Sequence, residues 1–547
     1  MTRSSPDPRG RRFASALLPA TALLLLSACA VSPEPIGDGL HLSRAIAEKE
    51  ALYAGQEPLT GPLTLSEAIA RALKYNLDHR LALMEEAVQE RQLTLANFNM
   101  LPRLAANAGY TTRTNENLTV SRSERTGITS PDPSLSTDAE RWTGDISFTW
   151  NLLDFGVSYF QAQQQADRTL IAVERRRRVI NNMVKEVRSA YWRAATAQRL
   201  LPLLDPILAD AQGALEATDE IERDLLQPPL ATLEYRKTIL QVIAQLRRLR
   251  SELSVARAQL AALINVPPGE PLSVVMPDDR DVDDVGVSLP DDIAELELYG
   301  LTYRPELREE VYQERIDGNG VRKEMLRMLP GVSLLSSVNF DSNSFLINQV
   351  WAEAGFRATW NLLGLIQGPR AVEAAETQAA LTRTRRLAVS VAVITQINVS
   401  YQQYRQALEN YETAYEISKV EERILQMAED ASELEAEAEL ERIRRAASSI
   451  AAQLDRDRSL AEVEAALANI YLSIGVDTLP AALEPDDLEA LQGEVLAALE
   501  RFERGELPPL PEPAAGEETE PVAEEATEPV AHGAVEPVVD GVMEPTS

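Results

Sequence analysis

The sequence has little of what catalytic and metal sites are made from: one cysteine and three histidines among 547 residues. A single cysteine, Cys29, excludes a disulfide within one chain. His41, His79 and His532 stand apart from one another, with no carboxylate or thiol at metal-ligand spacing and no nucleophile motif nearby. The sequence therefore predicts a protein that is not an enzyme and that holds no metal and no cofactor.

Positive charge is also scarce. The chain has 53 Lys and Arg against 85 Asp and Glu, a formal net charge of −32. A surface of this sign repels phosphate backbones and argues against nucleic acid as a partner. After residue 28 there is also no run of about 18 apolar residues, the length that a transmembrane helix requires.

The N-terminus has the pattern of a secretory signal. Residues 1–28 combine several arginines with a short apolar run from Phe13 to Leu26. The run ends in Leu26-Ser27-Ala28-Cys29, which resembles the bacterial lipoprotein processing box, where the cysteine becomes the lipidated first residue. The alternative is an ordinary cleavage site with an incidental cysteine.

Residues 144–155 carry a strict β pattern. Ile146, Phe148, Trp150 and Leu152 alternate with polar residues, which is the period of a strand with one apolar face. The same alternation returns at 352–362. The chain is therefore predicted to contain two copies of one unit.

The duplication is supported by constant spacing. Trp150-Asn151-Leu152-Leu153 and Trp360-Asn361-Leu362-Leu363 lie 210 positions apart, and Leu101-Pro102 and Leu329-Pro330 lie 228 apart. The difference of 18 falls between the first two strands of each copy. One surface loop, about residues 114–140, is thus predicted to be longer in the first copy.

The helices are predicted to be unusually long. One helical run extends from Thr64 or Ser66 to Asn99, a second from Ser158 to about Leu200, and an interruption is expected near Pro228-Pro229. From Ile239 to Leu263 the apolar residues step by three and four, the seam of a coiled coil. A hairpin arm of some 60 residues would reach about 90 Å.

These patterns give a predicted domain organisation. Its parts are a lipoprotein signal peptide (1–28), a lipidated leader (29–62) with a short helix (42–54), a first repeat (63–270), a linker (271–289), a second repeat (290–480), a C-terminal helix (481–504) and a disordered acidic Pro/Glu tail (505–547).

Four strands per chain are predicted, at 101–113, 143–153, 329–341 and 350–363. Their length matches membrane β-strands, and aromatic residues near their ends suit the membrane interfaces: Tyr110, Trp150, Phe155 and Trp360. Four strands cannot close a wide barrel, so several chains must contribute, and three copies would supply 12. The predicted fold class is mainly α with membrane β: a duplicated helix and strand-hairpin unit, a long α-helical coiled-coil tunnel, and four strands per chain of a trimeric 12-stranded β-barrel.

These features together resemble the TolC-like outer-membrane efflux protein family, in its lipoprotein type, over about residues 42–480. The resemblance rests on Leu63-Thr64-Leu65-Ser66-Glu67-Ala68-Ile69, on Leu101-Pro102, on Trp150-Asn151-Leu152-Leu153-Asp154-Phe155-Gly156, on their repetition and on the lipoprotein box. It implies a lipid-anchored homotrimer in the cell outer membrane that extends into the periplasm. There it would accept small molecules from an inner-membrane pump through a periplasmic adaptor, in efflux or type I secretion.

The hairpin tips depart from that family. Similar proteins carry a glycine turn followed by Leu-Asp-Val-Leu where the adaptor docks, and neither tip here keeps the glycine. The tips are acidic instead, and rings of carboxylates favour cations. The candidate aperture acids are Asp219, Glu220, Glu433, Glu435 and Glu439. The alternative for each is a solvated helix face.

Two further interpretations stay open at this stage. The arginines 175–178, echoed by Arg385 and Arg386, form either a hydrated outer face or ion pairs with acids. The rival to the export duct is a lipid-anchored periplasmic coiled-coil scaffold or adaptor without a pore, although such a protein has no need of repeated amphipathic strands.

Overall fold

A computed structural model describes residues 34–130, 132–223, 229–276, 285–287, 289–290, 292–432, 437–477, 479 and 487–512. The chain divides into two compact units, Met1–Glu506 and Leu507–Ser547. All helices and strands below lie in the first unit. In the second, the described residues 507–512 form neither helix nor strand.

Apart from the first helix and a short two-stranded hairpin, both in the first half, the elements of the first unit follow one another twice in the same order, and a further helix ends the unit. The first set is α1 (Asp38–Ala51), α2 (Leu65–Tyr75), α3 (Leu77–Phe98), β1 (Arg103–Thr112), β2 (Leu118–Thr119), β3 (Ser134–Leu135), β4 (Glu140–Asn151), α4 (Leu152–Arg223) and α5 (Pro229–Leu263). The second set is α6 (Ile293–Tyr303), α7 (Pro305–Arg327), β5 (Gly331–Asp341), β6 (Val350–Thr359), α8 (Gly364–Ser432) and α9 (Glu437–Ile474), followed by α10 (Leu488–Glu503). The predicted mainly helical fold with four long strands is confirmed.

The first predicted helical run is two helices. Asn76 has extended backbone between α2 and α3, and its side-chain oxygen accepts hydrogen bonds from the backbone N–H groups of Asp78 and His79. Its amide also donates to the Leu263 carbonyl at 3.0 Å. The chain therefore turns at Asn76 because this side chain caps α3 and ties the turn to the end of α5.

Several boundaries differ from the expected ones. The short leader helix lies at 38–51 rather than 42–54, and the strands cover 103–112, 140–151, 331–341 and 350–359. The second strand ends at Asn151 because the side chain of Asn151 caps α4 at Leu153 and Asp154, so Leu152 is already helical. The C-terminal helix begins at Leu488, where Asp487 caps it.

The four long strands form one antiparallel sheet in the order β1-β4-β5-β6. Ile146 of β4 lies opposite Ala106 of β1 and Val338 of β5. The junction of the two repeats is thus the β4–β5 pair. The connection between β1 and β4 is longer than that between β5 and β6 and carries the additional two-stranded β2–β3 hairpin.

Two very long helices leave this sheet. α4 has 72 residues and α8 has 69, so at about 1.5 Å per residue each extends about 105 Å. α4 does not stop near Leu200 but continues through Pro202 and Pro206 to Arg223. Packing explains the continuation, because Leu204 and Leu208 are buried against α5.

The predicted coiled-coil seam of α5 is buried. Ile239, Val242 and Leu246 pack with Leu204 and Leu208 of α4 and with residues 443–450 of α9. Further along, Leu253 and Ala256 pack with residues 197–200 of α4 and with Leu454. The two helical hairpins therefore share one core along α4, α5 and α9.

A second core surrounds the middle of α4. Ile69 of α2, Val187 of α4 and Ile264 after α5 are buried together, and Leu491 and Val495 of α10 cover them. Leu63 and Val274 form a short parallel bridge beside this core. None of the helices within the described ranges combines the length and the apolar composition needed to cross a membrane.

Candidate functional site

The sheet has two chemically different faces. Residues that lie side by side across the strands belong to the same face, as the row Ala106, Ile146, Val338 and Ala352 shows. The adjacent row is Ala105, Ser147, Ser337 and Glu353. One face is thus apolar and the other mainly polar, which follows directly from the alternation in the sequence.

The apolar face is uncovered in the single chain. Ile146 in the middle of β4 is 57% exposed and Phe356 on β6 is 80% exposed. Leu104, Val338 and Phe340 on the same face are exposed as well. An apolar surface of this kind, spread over four strands, requires an apolar environment or a partner.

The polar face is held by side-chain hydrogen bonds between strands. Asn107 donates to the Asp145 carboxylate at 3.0 Å, and the Ser337 hydroxyl donates to Glu353 at 3.2 Å. Asn107 and Glu353 are exposed, so water or a polar neighbour suits the remaining hydrogen-bonding capacity of their side chains. The polar face is therefore suited to an aqueous side.

Aromatic side chains lie at both ends of the sheet. Tyr110 contacts Trp142 with ring centroids 4.7 Å apart, and Trp150 contacts Phe155 at 5.8 Å. Trp360 donates its indole N–H to the Met328 carbonyl at 3.1 Å, beside the starts of the long helices. The prediction named Tyr110, Trp150, Phe155 and Trp360 and missed Trp142, although Trp142 keeps the same phase of alternation as Ile146.

The two sheet connections are joined to each other. Asn343 donates its amide to the Ser136 carbonyl and accepts from the backbone N–H of Asp138, and the Ser344 hydroxyl donates to Asp138 at 2.9 Å. Arg141 pairs with Asp341 at 3.2 Å just below. Sequence reasoning did not find this contact, because its partners are about 200 residues apart.

Three of the five candidate aperture acids lie in described helices, far along the chain from the sheet. Asp219 and Glu220 belong to the last part of α4, and Glu439 to the first turn of α9. Glu433 and Glu435 lie outside the described residues. Asp219, Glu220 and Glu439 thus lie at the ends of their helices away from the sheet, and the role of the five acids as an aperture stays a prediction.

The arginines of the cluster pair with acids, although Arg175 and Arg385 also stay mostly exposed to solvent. Arg176 of α4 contacts Glu86 of α3 at 2.7 Å, and Arg175 contacts Glu309 of α7 at 3.0 Å. In the second repeat Arg386 pairs with Glu314 at 3.0 Å and Arg385 pairs with a further α7 acid. The Arg176 and Arg386 pairs hold each short helix against the long helix of its own repeat, whereas the Arg175 pair joins α4 to α7 of the other repeat.

Buried polar groups reinforce the region around the central core. The Tyr191 hydroxyl donates toward the carbonyls of Leu63 and Val275, and burial raises the pKa of Tyr191 to about 12. His79 is buried, and its Nδ1 lies 2.7 Å from the Leu73 carbonyl. Burial, helped by the charge of Arg176, lowers the pKa of His79, so the ring is neutral. These groups are structural rather than exposed to a cavity.

Within the described residues, no group of three or more His, Cys, Asp or Glu side chains is arranged to hold a metal ion. The features that remain are a two-faced sheet, long paired helices and acidic tips. This is the geometry of a conduit or of a scaffold.

Part of the chain matches a known protein family. Residues 68–266 match the outer membrane efflux protein family. No curated protein matches the chain by sequence.

Solved structures of similar fold are outer-membrane channels. The channel OprN is 18% identical, with a TM-score of 0.57 over 75% of this chain and 89% of its own. CmeC of Campylobacter jejuni is 12% identical, with a TM-score of 0.58 over 83% and 94%. The open state of MtrE of Neisseria gonorrhoeae is 18% identical, with a TM-score of 0.53 over 74% and 88%.

The predicted resemblance to TolC-like outer-membrane efflux proteins is confirmed. The family match falls on the first repeat, and the fold matches to OprN and CmeC extend over 75% and 83% of this chain. The matched family is described as an efflux protein, not as an enzyme.

Proposed function

We propose that this chain, which resembles the TolC-like outer-membrane efflux proteins in family match and fold, forms the exit duct of a tripartite efflux or type I secretion system. It provides passive passage for small molecules from the periplasm to the exterior. The energy for transport comes from an inner-membrane pump, which is another protein.

The observation that carries this proposal is the two-faced sheet. Its strands have 10, 12, 11 and 10 residues, and a membrane strand needs about 9–11. Its apolar face suits lipid and its polar face suits a water-filled lumen. A periplasmic scaffold would bury the apolar face within its own chain or replace it with polar residues.

Closure of the sheet requires more than one chain. Among the described residues, the edge strands β1 and β6 each have one neighbour, which leaves a row of backbone N–H and C=O groups unpaired on each edge. Hydrocarbon does not tolerate such edges. We propose a homotrimer, in which three four-stranded sheets close a 12-stranded barrel and the long helices continue it as a tunnel.

The hairpin tips are proposed to receive a periplasmic adaptor protein. The acids Asp219, Glu220, Glu433, Glu435 and Glu439 would then lie near the narrow end of the tunnel and favour cationic cargo. The absence of the glycine turn in both tips means that docking here uses other contacts than in similar proteins.

The N-terminus is proposed to anchor the duct. Signal cleavage before Cys29 and lipidation of that cysteine would tether the chain to the outer membrane, with the helical part in the periplasm. Anchoring and strand insertion then act at the same membrane.

The test is imaging of the detergent-purified mature protein together with conductance in planar lipid. A three-fold particle longer than about 100 Å, the length of α4, with a detergent belt around one end is the expected result. Ion conductance should appear when the same preparation is added to lipid. A rod without a belt that conducts nothing would establish the scaffold instead.

A further inference from the structure

The two repeats of the chain are equivalent in structure as well as in sequence. Arg176 and Glu86 form an ion pair between α4 and α3, and Arg386 and Glu314 form one between α8 and α7. The arginines are 210 residues apart and the glutamates 228, the two offsets of the duplication. Apart from α1 and the β2–β3 hairpin, every element of the first repeat therefore has a counterpart at a known position in the second.

The repeats meet at one junction within the chain. There α4 packs against α7 and α9, α5 contacts α9, and β4 pairs with β5. If each element of this junction is replaced by its counterpart in the other repeat, a second junction results. In it α8 would pack against α3 and α5, α9 would contact α5, and β6 would pair with β1. Within the described residues α8 does not pack against α3 or α5, and β1 and β6 are opposite edges of the sheet.

The exposed face of α8 corresponds to the buried face of α4. Gln164, Asp167, Ile171 and Glu174 are buried on α4. Their counterparts on α8 are Ala374, Thr377, Leu381 and Thr384, and all four are exposed. Ile171 is 8% exposed and Leu381 is 60% exposed. A face that is buried at one junction is therefore open at its counterpart.

The receiving surfaces on α3 and α5 show the same relation. Ile316 of α7 and Ile443 and Ile450 of α9 are buried at the junction within the chain. Their counterparts Val88, Leu233 and Leu240 are large apolar residues that are exposed. These positions keep their apolar character although none of the described residues of the single chain covers them.

We call the junction within the chain the inner junction. A polar contact of the inner junction is replaced by apolar residues at the counterpart positions. Arg178 pairs with Glu309 between α4 and α7 at 3.3 Å. The counterparts of these two residues are Ala388 and Leu81. On a helix face that stays in solvent, charged residues would be expected in place of apolar ones. The apolar residues at these positions therefore indicate that α3 and α8 are covered by a partner.

Charges provide an independent second observation. Arg458 pairs with Glu252 between α9 and α5, and the counterparts of the two are Arg248 and Glu462. Arg199 pairs with Asp457, and their counterparts are Glu409 and Arg247, the same pair with the signs exchanged. Each counterpart pair has opposite charges. Its two members meet in this arrangement only if one of them comes from another copy of the chain.

The four charged residues of the counterpart pairs are all exposed. In the described part of the chain Arg247, Arg248, Glu409 and Glu462 make neither an ion pair nor a side-chain hydrogen bond. Two complementary pairs at positions fixed by the duplication are a stronger signal than scattered surface charge.

The sheet edges give the same register. Ile146 lies opposite Val338, and Thr143 opposite Asp341, in the β4–β5 pair. The counterparts place Phe356 of β6 opposite Tyr110 of β1, and Glu353 opposite Arg113. Aromatic and opposite-charge pairs of this kind stabilise neighbouring antiparallel strands.

We propose that the surface formed by α8, α9 and β6 binds α3, α5 and β1 of a second copy of this chain in the arrangement of the inner junction. The contacts across copies are Leu381 with Met84, Ala388 with Leu81, Glu409 with Arg247, Glu462 with Arg248, and Phe356 with Tyr110. This inference rests on the proposed function for its ring of copies and adds which residues form the ring.

The first test is cross-linking through introduced cysteines. In the inner junction Asp167 of α4 pairs with Arg315 of α7 and Glu174 with Arg308, and the register of these two pairs places Ile171 level with Tyr312. The counterparts are Leu381 and Met84. The full-length variant carrying Leu381→Cys and Met84→Cys should form covalent dimers and larger species with a short bismaleimide, whereas either single variant should not.

A register control uses the same helix. Leu381→Cys combined with Leu95→Cys moves the second thiol about 16 Å along α3, beyond the reach of the reagent. Equal cross-linking of both pairs, or of neither, would overturn the proposed register.

The second test exchanges charges. Glu462→Lys or Arg248→Glu alone should weaken assembly about two- to fivefold, as read from the oligomer fraction on dilution in detergent. The double variant should restore assembly, because the pair is re-formed with its signs reversed. Additive weakening in the double variant would show that the two residues do not meet.

The outcomes separate this proposal from the proposed function. Conductance in lipid without cross-linking of Leu381→Cys to Met84→Cys would leave the duct intact and overturn these contacts. Cross-linking without conductance would support the contacts and overturn the duct.

Discussion

Asn265 and Gly475 occupy equivalent positions at the ends of α5 and α9, and both have left-handed backbone, with φ of 58° and 68°. The two repeats therefore end their helical hairpins with the same turn. They reach it differently, since Asn265 carries a side chain and donates its amide to the Leu52 carbonyl at 3.0 Å. At Gly475 an added Cβ would overlap the backbone of Tyr303 and Arg304.

This difference predicts unequal effects of substitution. Gly475→Ala should lower the free energy of unfolding by about 2–4 kcal/mol, because both the backbone conformation and the close approach of α6 exclude a side chain. Asn265→Gly should change it by less than about 1 kcal/mol, since the lost hydrogen bond is offset by relief of strain. Urea unfolding of both variants in detergent measures this, and equal losses would contradict it.

His79 predicts a pH dependence of stability. Its pKa is lowered in the fold by burial, and the unfolded chain binds a proton there below about pH 6.5. The stabilisation from the neutral ring is therefore complete above that pH and is lost as the pH falls below it. His79→Leu introduces leucine, the residue that the second repeat has at the equivalent position, Leu307. This variant should reduce the slope of the free energy of unfolding against pH by at most about 1.4 kcal/mol per pH unit.

The measurement is the unfolding midpoint between pH 7.5 and 5.5. His41→Leu, in the exposed helix α1, provides the control and should leave the slope unchanged. Equal slopes for the original chain and His79→Leu would show that His79 does not carry the effect.

The buried ion pair between Arg188 and Glu464 joins α4 to α9. The two side chains are 3% and 9% exposed, and the guanidinium also lies 4.2 Å from the centre of the Phe502 ring. Glu464→Gln should destabilise the chain by about 3–5 kcal/mol, because it leaves a buried charge without its counter-charge. Glu373→Gln removes the partner of Arg370 in an exposed pair and should cost less than about 0.5 kcal/mol.

The two faces of the sheet predict different responses to charge. Ile146→Lys places an ammonium group on the apolar face near the middle of β4 and should cost about 2–4 kcal/mol in a bilayer. We expect little of this variant in the outer-membrane fraction of cells. The neighbouring Ser147→Lys, on the polar face, should be inserted at close to the normal level, and similar loss of both would argue against a lipid-facing surface.

The lipid anchor predicts a change in labelling. Cys29→Ser should abolish incorporation of radiolabelled palmitate and leave the rest of the chain folded, because the modified residue lies at the N-terminus. A variant that still incorporates the label would exclude lipidation at this cysteine.

Much of the fold follows from short-range patterns. The alternation around Ile146 and Phe148 predicts the strands, and the seam from Ile239 to Leu263 predicts the helical pairing. The spacing of Trp150 and Trp360 predicts the duplication. These signals suffice because each is a period, and a period reflects which side of an element is buried.

The features that the sequence did not predict depend on single side chains or distant contacts. The break at Asn76 interrupts a continuous helical pattern through one capping amide. The passage of α4 through Pro202 and Pro206 depends on the burial of Leu204. The hydrogen bond between Asp138 and Asn343 joins two loops that share no sequence pattern other than being polar.

The prolines of the long helices also set where these helices can bend. Proline lacks the N–H that would bond to the carbonyl one turn earlier, so α4 loses two backbone hydrogen bonds around Pro202 and Pro206, midway between its central core and its tip. In α8 the one proline, Pro369, lies next to the sheet. The two helical hairpins therefore differ in stiffness. A lateral force on the tips should bend the α4–α5 hairpin near Pro202 and Pro206, whereas the α8–α9 hairpin should stay straight along its length.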